Sequence, residues 1–97
     1  MRPYRNLKME DLIEEELGKL IAREVYVEGA LITITDVFIT PDLLQARVKL
    51  GIIPKAKELE AFLAVEKQLL ALRHALVRKI NVKPMPRISI EIDKVKQ

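Results

Sequence analysis

Met9, Ile13, Leu17, Leu20 and Ile21 recur at steps of three and four with Leu12 beside them, so the chain opens with a helix carrying one apolar stripe. Glu10, Asp11, Glu14, Glu15 and Glu16 fill what this pattern reads as its early turns, where negative charge suits the helix dipole. Glu15 and Lys19 stand four apart, a favourable ion-pair spacing on a helix. Gly18 is about 1 kcal/mol worse than alanine in a helix interior, so the expectation is a close-packing point against another element. The helix should fray after Arg23-Glu24, and Gly29 marks a turn.

Two strands follow. Residues 31–39 are rich in β-branched side chains, but Ile32 and Ile34 are out of phase with Val37 and Ile39. A bulge near Thr35-Asp36, or burial of both faces, accounts for the slip. Thr40-Pro41-Asp42-Leu43 is turn chemistry. The next strand alternates: Leu44, Ala46, Val48, Leu50 and Ile52 share one side, and Gln45, Arg47 and Lys49 the other. The pair reads as a hairpin with one wet, basic face.

Pro54 opens a helical region free of proline and glycine to about Asn81. Leu59, Phe62, Leu63 and Val65 lead into Leu69, Leu72, Leu76 and Ile80, and these last four share a narrow sector of a helical wheel. Lys67, Ala71, His74 and Arg78 lie opposite them, flanked by Arg73 and Lys79. An unbroken helix over this stretch would run about 40 Å, too long for so small a domain, so a bend is expected. Lys83-Pro84-Met85-Pro86 ends the helical region. Ile88, Ile90 and Ile92 then alternate with Arg87, Ser89, Glu91 and Asp93 as a third strand. The order is α-β-β-α-α-β, and the expected architecture is α+β: a three-stranded mixed sheet with helices packed on one face, in a single domain over 1–97.

Composition narrows the function. The chain has 97 residues, 49% apolar and 32% charged, which suits one folded domain with little room for a deep active site. No cysteine is present, which removes disulfides, thiolate metal sites and cysteine nucleophiles. His74 is the single histidine and Ser89 the single serine, so neither a histidine-rich metal site nor a convincing serine-histidine-acid set can be assembled. The three glycines are isolated, with no phosphate-cradling loop. The expectation is a protein that is not an enzyme and takes no cofactor and no small-molecule substrate. No apolar run approaches the roughly 20 residues of a membrane span, and Met1-Arg2-Pro3-Tyr4-Arg5 lacks the apolar core of a secretory signal. A cytoplasmic monomer with no membrane partner is therefore expected.

The net charge of +3 is unevenly spread. Residues 1–66 hold nine basic and twelve acidic side chains, whereas 67–97 hold eight basic ones against Glu91 and Asp93 alone. Such asymmetry points to a polyanion-facing surface in the last third of the chain. Its candidate phosphate contacts are Lys67, Arg73, His74, Arg78, Lys79, Lys83 and Arg87, with Arg47 and Lys49 as a secondary set. The plain alternative is a solvated basic face with no partner. None of the aromatic residues Tyr4, Tyr26, Phe38 and Phe62 falls on the helical basic stripe, so base stacking is not expected to carry affinity.

The element order and the basic helical region match a KH-like RNA-binding domain of the type with an N-terminal helix (type II), although a G-x-x-G loop is missing. Arg5, Lys8, Leu17, Leu20-Ile21 and Arg23-Glu24, the stretch from Leu31 to Val37, Asp42 to Val48, Leu72-Arg73, Leu76 and Pro86 to Asp93 resemble bacterial ribosome-binding factor A. The likeness covers about residues 5–93. It implies a KH-like, non-enzymatic factor that binds 16S ribosomal RNA of the immature small (30S) ribosomal subunit and assists late maturation and rRNA processing. Only Arg73 and Arg87 carry over by position as basic residues near that surface. The family's Ala-x-Gly kink between the middle helices is replaced here by Gln68-Leu69-Leu70. The competing reading is a protein-protein interaction module of the same small fold, not bound to RNA.

Overall fold

A computed structural model describes the backbone of residues 4–94 and the side chains of Asn6 to Lys94. Met1-Arg2-Pro3, the last three residues and the side chain of Arg5, part of the family resemblance, lie outside the described residues. The described elements are α1 (Tyr4–Glu24), β1 (Leu31–Ile39), β2 (Gln45–Ile53), a turn of 3-10 helix (Lys55–Lys57), α2 (Glu58–Lys67), α3 (Leu69–Lys79) and β3 (Arg87–Ile92).

The apolar stripe of α1 is buried as the periodicity requires: Ile13, Leu17, Leu20 and Ile21 are all at or near zero exposure. The acidic cluster needs a different account. The helix begins at Tyr4, so its first turn carries no acidic residue and Glu10 to Glu16 lie beyond the turn where the dipole acts. Most of them are solvated, with Lys19 close to Glu15 and Glu16 at 3.7 and 3.5 Å. Glu10 is instead buried. Gly18 faces Ile34, whose nearest atom would lie 4.0 Å from an added Cβ. That is ordinary contact, so the expected close approach of α1 at Gly18 does not occur.

The sheet order is β1-β2-β3, with β1 and β2 antiparallel and β2 and β3 parallel. A register shift between Ile34 and Asp36 is the bulge that the broken alternation foretold. It returns Val37 and Ile39 to the buried side, with Ala46, Val48, Leu50 and Ile52 beside them and Ile88 beyond. Leu44 shares their phase but precedes β2 and is exposed. In the connecting turn, Leu43 takes a positive φ of 65°. Asp42 ties the turn by accepting hydrogen bonds from the Thr40 hydroxyl at 2.6 Å and the Leu44 amide at 3.0 Å.

A parallel neighbour requires a crossover between its strands, and α2 and α3 supply it. The expected bend falls at Gln68, whose backbone (φ −99°, ψ 6°) leaves the helical region for one residue. It forms without the alanine and glycine usual at that place. The bend sets α2 against β2 and β3 while α3 lies beside α1, so both halves find apolar cover. Ala61 and Val65 are the buried residues of α2, and Leu72 and Leu76 those of α3. Leu59 and Leu63, which lead in sequence into the apolar residues of α3, point away and are exposed. Among the described residues, all the helices therefore cover one face of the sheet and none covers the other.

Candidate nucleic-acid interface

The cations singled out in the sequence divide between two surfaces. The first is the outer side of the helical layer. His74 and Arg78 are both exposed, and their spacing of four sets them one above the other on α3. Lys67 ends α2, Lys83 lies in the linker after α3, and both are exposed. Among the described residues, Lys67, Arg78 and Lys83 have no carboxylate oxygen within ion-pair distance. Arg78 and Lys79 also sit in the last turn of α3, where the unpaired carbonyls favour positive charge. Leu70 and Val77 are exposed on the same helix.

Two members of this group are engaged within the fold. The Arg73 guanidinium is half-buried and donates to the carbonyls of Met85 at 3.0 Å and Pro86 at 3.4 Å. It thereby fastens α3 to the segment that leads into β3. Lys79 approaches Glu16 of α1 at 3.5 Å, an ion pair that joins the two neighbouring helices. Both charges thus have a partner within the fold.

The second surface is the open face of the sheet, and Arg87 belongs to it. Arg87 pairs with Gln45 of β2, and Ser89 with Arg47, so Arg87 is the diagonal neighbour of Arg47 rather than part of the helical stripe. The pairing makes two rows across all three strands. One runs Phe38, Arg47, Ser89; the other runs Asp36, Lys49, Glu91. The Arg47 guanidinium carbon lies 5.3 Å from the centre of the Phe38 ring, a cation-π contact.

Three features of this face escaped the sequence reading. Phe38 brings an aromatic ring to a basic cluster, a pairing that the helical stripe alone did not show. Asp36 and Glu91 flank Lys49 and moderate the positive charge, and Arg87 changes sides. The alternation of β1 carried a signal for Phe38, since Val37 and Ile39 point inward and Phe38 must point out. The rest depends on register, which pairs Asp36 with Lys49, 13 positions on, and Lys49 with Glu91, 42 positions on.

Comparison with known proteins adds the following. The family model described as ribosome-binding factor A matches residues 5–97. Ribosome-binding factor A of Opitutus terrae is 31% identical over 90 residues, spanning 92% of this chain and 74% of that one. The protein of the same name from Caldanaerobacter subterraneus subsp. tengcongensis is 29% identical over 93 residues, with 93% and 76% covered. The crystal structure of ribosome-binding factor A from Thermus thermophilus superposes with a TM-score of 0.76 at 19% identity, covering 92% of this chain and 97% of that one. At that identity the superposition speaks for the fold.

Proposed function

This chain belongs to the ribosome-binding factor A family, and from that premise we propose that it is a ribosome-assembly factor. It binds 16S rRNA of the immature small subunit and assists late maturation and rRNA processing without a catalytic step of its own. Its place of action is the cytoplasm, where that subunit is assembled. Among the described residues no helix is long and apolar enough to cross a membrane.

The observation that carries this reading is the set of exposed cations on the helical layer. Lys67, Arg78 and Lys83, with His74 between the first two in sequence, face solvent without an ion-pair partner among the described residues. Such side chains need no bond broken before they meet phosphate, and each phosphate they neutralise releases condensed counterions. Arg73 and Lys79 act beside them as anchored charges that hold the surface in shape. Binding then depends on shape and phosphate spacing, as expected for folded RNA.

The test is sedimentation of purified small subunits with the full chain at two salt concentrations, using Lys67→Glu/Arg78→Glu as the variant. Lys79 is left intact because it bridges to Glu16. The wild type should co-sediment at low salt and dissociate as salt rises. The double variant, with an unchanged circular dichroism spectrum, should bind about tenfold or more weakly with a shallower salt slope. Co-sedimentation of the folded variant at wild-type levels would remove these residues from the interface. Capture that survives ribonuclease and ignores salt would instead favour the interaction-module reading, for which exposed Leu70 and Val77 would be the contact.

A further inference from the structure

We propose that the open face of the sheet is a second RNA contact, one that holds a single unpaired nucleotide: its base stacks on the Arg47 guanidinium, its exocyclic amine donates to Asp36 or Glu91, and Lys49 and Arg87 meet the flanking phosphates. The inference rests on the RNA-binding reading above and concerns a different surface.

Four observations converge. First, the Arg47 guanidinium carbon lies 5.3 Å from the centre of the Phe38 ring, and Arg47 is exposed. A guanidinium plane so presented is a stacking platform for an unpaired base. Second, Asp36, Phe38, Arg47, Lys49 and Glu91 line one trough of about 310 Å³, at the small end of the range for ligand sites. Third, Asp36 and Glu91 flank Lys49 in register, yet among the described residues no carboxylate oxygen lies within ion-pair distance of its ammonium group. The two acceptors and the cation thus remain available to a ligand. Fourth, Arg87 lies diagonally beside Arg47 on the neighbouring strand, outside the residues that line the trough, and extends the positive charge of the face beyond it.

The mixture of charges is what separates this face from a phosphate-binding surface. A purely electrostatic contact would gain nothing from two carboxylates beside its lysine, since they repel the backbone. Carboxylates do serve a base that offers amine hydrogens. Guanine, adenine and cytosine offer them, whereas uracil presents carbonyl oxygens. The site should therefore discriminate against uracil and against a missing base.

The experiment uses three labelled hexaribonucleotides: all uridine, the same strand with one central guanosine, and the same strand with one central abasic site. Fluorescence anisotropy with the full chain should show the guanosine strand binding at least about fivefold more tightly than the abasic strand. Arg47→Lys keeps the charge but lacks the plane, and it should erase that preference. Asp36→Asn/Glu91→Gln should narrow the gap between guanosine and uridine strands. Phe38→Leu should act like Arg47→Lys; should it fail to fold, Arg47→Lys decides alone. Equal binding of all three strands, no binding of any, or an unchanged preference in Arg47→Lys would overturn the proposal. Subunit sedimentation separates this outcome from the broader reading. A wild type that sediments with subunits but ignores the central base loses only the sheet site. One that shows the Arg47-dependent preference but never sediments with subunits keeps the sheet site and loses the ribosomal role.

Discussion

The Glu10 carboxylate accepts the backbone N–H of Ile39 at 2.7 Å, with both groups buried and 29 residues apart. One turn earlier on α1, the Asn6 side-chain amide donates to the carbonyls of Ile39 at 3.2 Å and Thr40 at 3.0 Å. The end of an edge strand thus has its outward backbone groups met by a helix instead of by water. Without these bonds the last residues of β1 would offer unpaired groups to another chain, and α1 would lose its buried polar ties to the sheet.

Glu10→Ala should therefore lower stability by about 2 kcal/mol, the usual loss when a buried hydrogen bond to a charged group is removed. Asn6→Ala should lose about 1 kcal/mol. Because Glu10 and Asn6 both bond Ile39, the double variant should fall short of the sum. Urea unfolding of the four chains measures all three statements, and strict additivity would show that the two contacts are independent.

The two glycines that lie within regular elements should respond in opposite directions. At Gly18 an added methyl finds its nearest neighbour at 4.0 Å, so Gly18→Ala should raise stability by up to about 1 kcal/mol through helix propensity. At Gly51 the added carbon would lie 2.8 Å from the Thr35 methyl and 3.3 Å from the Thr33 hydroxyl. Thr35 is stiff at χ1 and donates to the Lys49 carbonyl at 3.3 Å, so it yields little. Gly51→Ala should lose about 1 kcal/mol or more from overpacking. Thermal melts of the two single variants should move apart from the wild type, one up and one down.

Asp42 gives the hairpin turn a pH dependence. Hydrogen bonds from the Thr40 hydroxyl, then from the Leu44 amide, hold its carboxyl below the usual carboxylate value. A carboxyl depressed in the folded state binds its proton less readily there than in the unfolded chain. Its contribution is then present above the ordinary carboxylate range and is lost as pH falls through the depressed value. The stability difference between wild type and Asp42→Ala should be largest near neutrality and shrink in acid. A difference that grows in acid would contradict the assignment.

Arg73 and Arg78 lie five residues apart on one helix and should behave as different kinds of residue. Arg73→Gln strips the Met85 and Pro86 carbonyls of their donor, so it should lower stability by about 1 to 2 kcal/mol. Arg78→Gln should change stability by less than about 0.5 kcal/mol, as for other surface positions, and should weaken RNA binding. Arg73→Lys should not restore wild-type stability, because an ammonium group cannot reproduce the forked reach to two carbonyls. Parallel unfolding and binding curves for the three variants distinguish a fold-holding arginine from a contact one.

The features written locally were legible in advance. Hydrophobic spacing gave α1 its buried stripe, the slip between Ile34 and Val37 marked the bulge, and the strict alternation from Ala46 to Ile52 fixed the buried side of β2. Length required a bend in the helical region, and the structure places it at Gln68. These readings succeed because period and propensity act over a few residues. The exposure of Leu59 and Leu63 was not legible, because the bend at Gln68 and packing against the sheet decide which side α2 buries. The site was less legible than the fold for the same reason. Charge counting found the cations, but only register could move Arg87 to the open face, set Phe38 beneath Arg47, and bracket Lys49 between Asp36 and Glu91. Only packing could commit Arg73 to Met85 and Lys79 to Glu16. Such pairings join residues distant in sequence through backbone hydrogen bonds and close contact, and those come into being only when the chain has folded.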